Sequence, residues 1–203
     1  MASTSMEELS QSEFDDGQTR SLIVQFDNWK WRNATILDAN TKTALYRLAC
    51  HMRKPQLIMH SVLENENPAT DPTGDASFHS LSSRISIRLH GQDFDLTSRG
   101  MWKDGYTYAS PTRNGEKMTW KGEKRQFDLN IVCLDEKALP VARTSFASWN
   151  MTKAGIIELA GKNVMNEGPE RDEIVLTALA MAQQRLTGHI SATSAAGVAA
   201  SGV

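Results

Sequence analysis

One apolar stretch near the C-terminal end of the chain constrains the fold more than any other feature. Residues 174–182 read IVLTALAMA, and Thr177 is the single weakly polar residue among them. Pro169 and several acidic residues precede this stretch, a composition typical of the first turn of a helix. A helix without a polar face must be enclosed by other elements. We therefore predict that residues 173–181 lie in a helix buried on all sides; a buried strand is the alternative, which the Ala and Leu content disfavours.

Most of the remaining chain alternates between apolar and polar residues with the two-residue period of β-strands. Clear alternation runs through residues 22–26, 45–50, 84–89 and 127–133, and shorter candidates are residues 34–37, 56–63, 92–96, 106–110, 117–121, 141–145 and 155–159. Turn signals such as His90-Gly91 and Asn114-Gly115 separate these stretches, and residues 64–76 read as one longer loop. Because the gaps are too short for crossover helices, the pattern predicts an antiparallel barrel or sandwich.

Charge and hydropathy exclude several classes of protein. The chain of 203 residues has a net charge of −2 and a pI near 6.2, whereas a general nucleic-acid binder is basic, so we expect no nucleic-acid partner. No apolar run approaches the roughly 20 residues of a transmembrane helix, and the first residues lack the features of a signal peptide. We expect a cytoplasmic protein whose two cysteines, Cys50 and Cys133, are reduced.

The two ends of the chain differ in composition from its centre. Residues 1–20 are polar and acidic, and they contain little that a core could bury. Residues 188–203 are mostly Ala, Ser and Gly without periodicity. We predict a disordered acidic tail over residues 1–20, one domain over 21–187, and a flexible tail over 188–203.

Six short motifs resemble those of a known superfamily. They are residues 35–38 (TILD), 44–46 (ALY), 118–120 (MTW), 141–143 (VAR), 155–159 (GIIEL) and 172–180 (DEIVLTALA). In these motifs the chain resembles the tubby C-terminal-domain-like superfamily of tubby proteins, LURP-one-related proteins and phospholipid scramblases. The whole looks most like the small single-domain fungal members. The resemblance implies a mainly β fold, a closed antiparallel barrel of about 12 strands around a central buried C-terminal hydrophobic helix, which would fill a barrel of that size.

No motif in the chain points to catalysis or to a metal. The histidines, His51, His60, His79, His90 and His189, show no metal-ligand spacing, and the cysteines form no Cys-x-x-Cys pair. No nucleophile elbow or glycine-rich phosphate loop is present in the sequence. We expect no catalytic residue, no metal and no cofactor.

Basic residues are concentrated in one part of the chain. Residues 30–54 contain six cations and one acid, Asp38, which gives this stretch a net charge of +5. Arg84 and Arg88 lie on the polar face of a later predicted strand. If they converge, these cations could bind the headgroups of anionic phospholipids. The candidate headgroup site is Lys30, Arg32, Arg47, Arg53, Lys54, Arg84 and Arg88; a solvated exterior with scattered cations is the alternative.

Aromatic residues accompany some of these cations. Trp29 and Trp31 flank Lys30, an arrangement found in membrane-interface anchors, in nucleic-acid stacking platforms and, most often, at barrel rims. Trp120 and Trp149 are expected in the core.

The sequence leaves several functions open. The first is a non-enzymatic module that docks on anionic phospholipid or phosphoinositide and is peripheral at the membrane; tubby proteins bind phosphoinositides, although no residue of this chain matches their headgroup pocket. The second is a small-molecule enzyme or carrier, which needs an empty barrel interior. Scramblase-type lipid movement and a protein-interaction module without a ligand are the others, and the protein partner is unknown.

Overall fold

The computed structural model describes residues 19–27, 32–62, 71–79, 84–100, 105–122, 130–146 and 155–199, with side chains except at 162–163 and 185–199. Within these residues, no helix is both long and apolar enough to span a membrane.

Twelve antiparallel strands form one closed barrel. Each strand pairs with the strands before and after it in the chain, and β1 closes the ring by pairing with β12. The strands are β1 (Thr19–Phe26), β2 (Asn33–Asp38), β3 (Ala44–Cys50), β4 (Leu57–Ser61), β5 (Gly74–Phe78), β6 (Ile85–Leu89), β7 (Gln92–Ser98), β8 (Tyr106–Ser110), β9 (Glu116–Gly122), β10 (Ile131–Leu134), β11 (Pro140–Ser145) and β12 (Gly155–Ala160). A short 3-10 helix, Pro111–Arg113, joins β8 to β9, and two helices follow the barrel strands: α1 (Lys162–Met165) and α2 (Pro169–Ala199). The predicted mainly β fold, a closed barrel around a C-terminal helix, is confirmed.

The helix α2 occupies the interior of the barrel. Every residue from 171 to 182 is buried, which confirms the prediction of an enclosed helix over residues 173–181. Thr177, the weakly polar residue of this stretch, donates to the Ile174 carbonyl at 3.1 Å and accepts from Trp120 Nε1 of β9 at 3.1 Å. The prediction that Trp120 lies in the core is therefore also confirmed, and no polar group of this contact needs water.

The strands face the helix with their apolar residues. Leu22 and Val24 of β1 are fully buried, as are Ile85, Ile87 and Leu89 of β6, while the residues between them point outward. This alternation is what allows the helix and the strands to share one core.

The strand β5 was not expected from the sequence. Its first residues fall within the predicted loop over 64–76, and that prediction is wrong from Gly74 onward. A Cβ atom at Gly74 would lie 2.6 Å from Leu176 Cδ2 and 2.8 Å from the Arg88 carbonyl oxygen. The strand therefore passes so close to the helix that only glycine fits, and glycine is a poor strand signal.

The described elements begin at Thr19 and end at Ala199, while the division into one domain over 21–187 and two tails stays a prediction. The first strand begins at Thr19, and the helical backbone of α2 continues to Ala199. An Ala-rich segment that follows an established helix propagates it readily, which accounts for the continuation. The predicted disorder of residues 1–18 concerns residues outside the described ranges, and the flexibility of 188–203 stays a prediction.

The connections between strands divide the barrel into two ends. We call the end where α2 begins the helix-start end; it carries the β2–β3, β4–β5, β6–β7, β8–β9 and β10–β11 connections. We call the opposite end the basic end; it carries the β1–β2, β3–β4, β5–β6, β7–β8, β9–β10 and β11–β12 connections. Of the connections at the basic end, the structure describes only the β3–β4 connection, residues 51–56, in full.

Candidate functional site

Backbone and side-chain hydrogen bonds hold the base of the β3–β4 connection. The Cys50 backbone N–H donates to the Arg32 carbonyl at 2.6 Å, and the His51 N–H donates to the Gln56 carbonyl at 2.7 Å. The Gln56 N–H donates to the Ala76 carbonyl at 3.0 Å, and the Gln56 side-chain oxygen accepts from the Phe78 N–H at 2.9 Å. The connection is thus fixed to the start of β2 and to β5, so its position relative to the barrel is defined.

Four of the candidate cations lie in or beside this connection. Arg53 and Lys54 belong to this connection. The backbone carbonyl of Arg32 accepts a hydrogen bond from Cys50, the last residue of β3. Arg47 lies on the outer face of β3, with Thr35 and His60 as its cross-strand neighbours. All four residues are exposed. Arg32, Arg47 and Arg53 form no ion pair with any residue that the structure describes.

Lys54 is the exception, because it belongs to a hydrogen-bonded chain. Its Nζ lies 3.3 Å from His79 Nδ1, and His79 Nε2 lies 2.9 Å from Ser86 Oγ. Ser86 donates its hydroxyl proton to Asp95 Oδ1 at 2.7 Å and must therefore accept from His79 Nε2–H. In this tautomer Nδ1 of His79 is an acceptor, so Lys54 donates to it. Arg84 Nη1, 3.5 Å from Asp95 Oδ2, lies at the far end of the same chain.

Arg88 is separated from the other candidates. It lies on the outer face of β6 near the helix-start end, where its Nε donates to Asp93 Oδ1 at 3.0 Å. Asp75 of β5 is its neighbour on the other side. The hydrogen bond and the charge of Asp93 raise the pKa of Arg88. Its charge is thus largely offset by acids. Lys30, the remaining candidate, lies outside the described residues.

The positive stretch of residues 30–54 does not form one patch. Lys42 in the β2–β3 turn and Asp38 at the end of β2 lie at the helix-start end, whereas Arg32, Arg53 and Lys54 lie at the basic end. Of the candidate site, the structure thus places Arg32, Arg53 and Lys54 at the basic end and Arg47 midway along the outer face of β3. Arg84 is connected to Lys54 through His79, Ser86 and Asp95.

The helix-start end has charged residues of a different kind. Three consecutive residues in the first turns of α2 are buried there: Arg171, Asp172 and Glu173. Glu173 Oε2 accepts from Ser110 Oγ at 2.9 Å, from Thr112 Oγ1 at 2.6 Å and from the Thr112 backbone N–H at 3.2 Å. These bonds attach the helix to the β8–β9 connection.

Tyr46 of β3 completes this buried cluster. Its hydroxyl donates to Asp172 Oδ1 at 2.5 Å and accepts from Arg171 Nε at 2.7 Å. Burial, and next the charge of Asp172, raise the pKa of Tyr46 well above its ordinary value. The other carboxylate oxygen of Asp172 lies 2.9 Å from His90 Nε2. The sequence predicts only that these acids favour the helix N-terminus; the structure gives each of them side-chain partners.

A cavity of about 390 Å³ lies beside this cluster. It is lined by Leu89, His90, Gln92, Pro111, Thr112, Pro169 and Glu170. An imidazole fixed by a carboxylate, as His90 is by Asp172, is an arrangement that can serve a general base. However, the hydroxyl of Thr112 is bonded to Glu173, and Glu170 is paired with Arg113 Nε, so neither is free to act on a substrate. The cavity also lies outside the barrel interior, which α2 fills; the space that an interior carrier needs is occupied.

Among the side chains that the structure describes, the acids, histidines and cysteines give no indication of a metal or redox centre. No group of three or more His, Cys, Asp or Glu residues with metal-binding geometry occurs within the described ranges. Both cysteines are free thiols. Burial raises the pKa of Cys50 to about 11 and raises that of Cys133 as well, so neither is activated as a nucleophile. Trp29, Trp31 and Trp149 lie outside the described residues.

Comparisons with known proteins assign no family. No protein-family model and no curated protein matches the chain. Among solved structures, the X-ray structure of the Arabidopsis thaliana protein AT5G01750 matches over 81% of this chain and 90% of that chain, with 10% identity and a TM-score of 0.49. These values are too low to assign a family or a function.

Proposed function

We propose that the protein is a non-enzymatic binding module that docks on anionic phospholipid membranes through the basic end of its barrel. Arg53 and Lys54 at this end are the principal contacts together with Arg47 on the adjoining outer face of β3, and Arg32 lies at the base of the β3–β4 connection. The observation that supports this proposal most directly is that Arg47 and Arg53 are exposed and form no ion pair with a described residue. The tubby-like resemblance belongs to the same proposal, as does a location at the membrane periphery.

The chemistry of these residues suits a phosphate-rich surface. A Lys or Arg near an anionic leaflet contributes about 1 kcal/mol of attraction. Arg also offers a planar guanidinium that can bind a phosphate through two parallel hydrogen bonds. Since Arg47 and Arg53 have no carboxylate partner among the described residues, no ion pair seen in the structure has to break before they bind a phosphate.

The remaining candidates contribute less. Arg84 shares Asp95 with Ser86, and Arg88 lies between Asp75 and Asp93. An anionic surface would have to compete with these carboxylates for the two guanidinium groups. The proposal therefore rests on the β3–β4 connection and on Arg47, and a protein-interaction module without a lipid ligand is the alternative.

A vesicle co-sedimentation experiment tests the proposal. Wild-type protein is mixed with vesicles of phosphatidylcholine alone, of phosphatidylcholine with phosphatidylserine, and of phosphatidylcholine with a phosphatidylinositol bisphosphate at matched charge. We expect binding to the two anionic compositions only. The double variant Arg47→Glu with Lys54→Glu should lower the partition coefficient at least about tenfold, because two attractive charges become repulsive.

A charge-matched control separates a specific surface from net charge. Lys117→Glu with Lys137→Glu makes the same change in net charge, but both residues are exposed near the helix-start end. This control should bind like the wild type. Equal losses in both double variants would overturn the proposed surface, and wild-type binding that is indifferent to anionic lipid would overturn the function.

A further inference from the structure

One apolar side chain in the β3–β4 connection is exposed almost completely. Met52 is 95% exposed, whereas the next most exposed large apolar residues of the described chain, Leu139 and Ile156, are 44% and 43% exposed. Single apolar residues of moderate exposure are common on protein surfaces. Met52 is different in degree, and it directly precedes Arg53 and Lys54.

Met52 lies in a connection that is anchored on both sides. The His51 N–H bonds to the Gln56 carbonyl across the connection, and Gln56 bonds to both Ala76 and Phe78. The backbone around Met52 is therefore held in place, while the Met52 side chain lies in solvent, outside the core. A membrane surface consists of hydrocarbon beneath a layer of phosphates. The exposed apolar side chain of Met52 suits the hydrocarbon, and the two exposed cations that follow it suit the phosphates.

We propose that Met52 inserts into the hydrocarbon boundary of an anionic bilayer while Arg53 and Lys54 remain among the headgroup phosphates. This inference rests on the proposed membrane-docking function and adds to it an apolar anchor and an orientation, with the basic end facing the membrane. The unbranched Met side chain loses its contact with water on insertion, which is favourable in proportion to the apolar area buried. The neighbouring Arg and Lys stems can extend along the interface while their charges stay at the phosphates.

Substitutions at Met52 test the insertion by partition into phosphatidylcholine–phosphatidylserine vesicles. Met52→Gln has nearly the same shape but a polar end, and it should weaken partition about five- to tenfold. Met52→Leu keeps the apolar character and should bind like the wild type. Leu139→Gln changes an exposed apolar residue at the helix-start end in the same way, and it should have no effect.

Salt separates the apolar anchor from the cations. Added salt screens charges but does not weaken apolar burial, so the fold-loss in Met52→Gln should persist at high salt while that of Arg53→Glu shrinks. Insertion is read directly with Met52→Trp in vesicles of brominated lipid, where we expect additional quenching that Leu139→Trp does not show.

The outcomes distinguish this inference from the function on which it rests. If Met52→Gln binds like the wild type while Arg47→Glu with Lys54→Glu loses binding, the protein docks through its charges alone and the inserted anchor is wrong. If Met52→Trp gains no quenching beyond that of Leu139→Trp, insertion is likewise overturned. If the wild type binds no anionic vesicle at all, the function and the anchor are both rejected.

Discussion

The two ends of the barrel use charge in opposite ways. At the helix-start end, Arg171, Asp172 and Glu173 are buried, and hydrogen bonds connect them to Tyr46, His90 and the β8–β9 connection. At the basic end Arg53 is exposed, as is Arg47 on the outer face of β3, and neither forms an ion pair with a described residue. The first set of charges fixes where the helix sits in the barrel. The second set has no ion-pair partner among the described residues, which is the state that the proposed membrane contact requires.

This difference gives a way to separate stability from binding. Substitutions at the helix-start end should alter the free energy of unfolding, while substitutions at the basic end should alter membrane partition and leave unfolding unchanged. Substitutions at Glu173, Tyr46, Asp38 and the Arg47–Arg53 pair test that separation, in order of decreasing expected effect.

Glu173→Ala should lower the free energy of unfolding by about 4 kcal/mol. The substitution leaves the hydroxyls of Ser110 and Thr112 and the Thr112 N–H without their shared acceptor inside the protein. Urea unfolding monitored by circular dichroism measures the loss. Glu173→Gln keeps one acceptor oxygen, so its free energy of unfolding should fall by less than that of Glu173→Ala. A decrease below about 1 kcal/mol in Glu173→Ala would mean that the cluster does not fix the helix.

Tyr46→Phe should lower the free energy of unfolding by about 1–2 kcal/mol. The ring still fills its place in the core, but Arg171 Nε loses its acceptor and Asp172 Oδ1 loses its donor. The same urea titration measures this change. A variant as stable as the wild type would show that water or a rearranged Arg171 replaces the phenol hydroxyl.

Asp38 should make the barrel less stable in acid. Hydrogen bonds from the Thr41 and Asn40 backbone and from Arg20 Nε hold the pKa of its carboxyl at about 2, below the ordinary 3.8. Because the unfolded chain binds the proton more readily, the contribution of this group is complete above about pH 4 and is lost as the pH falls toward 2. We expect a loss of about 1 kcal/mol across this range, since the group lies at the barrel rim. In Asp38→Asn this portion of the pH dependence of unfolding should disappear.

Arg47→Glu with Arg53→Glu should change the free energy of unfolding by less than about 0.5 kcal/mol. Neither residue has a described ion-pair partner to lose, and both side chains lie in solvent. Thermal and urea unfolding of the protein prepared for the vesicle experiments measure this directly. A loss above about 1 kcal/mol would contradict the comparison, because the cations would then serve the fold.

The composition of residues 174–182 and the alternation of apolar and polar residues elsewhere predict the architecture, because both patterns depend directly on which side chains are buried. Residues 174–182 have no polar face, so the helix had to be enclosed, and alternating strands had to enclose it. The strand β5 is the exception, because the close approach of Leu176 requires a glycine at position 74, and a glycine followed by small and polar residues resembles a loop.

The candidate site is predicted less well, because the distribution of charged residues along the sequence does not show at which end of the barrel a turn lies. Successive connections of an antiparallel barrel alternate between its ends, and this alternation separates Lys42 from Arg53 although few residues lie between them. The contact between Lys54 and His79 joins residues 25 positions apart and has no sequence signal. The exposure of Met52 likewise depends on the anchored backbone on either side of it.

The pairing of β1 with β12 has a consequence for how the protein is made. The register runs from Thr19 opposite Ala160 to Val24 opposite Gly155, so the ring cannot close before β12 has left the ribosome. The helix that fills the interior is synthesised after the last strand, and a closed ring would bar its entry. The strands therefore assemble around α2 only after this helix has been synthesised, and until then their apolar faces are uncovered. Closure between strands so far apart in the sequence is slow in general, and it lengthens the time for which apolar surface is open to aggregation.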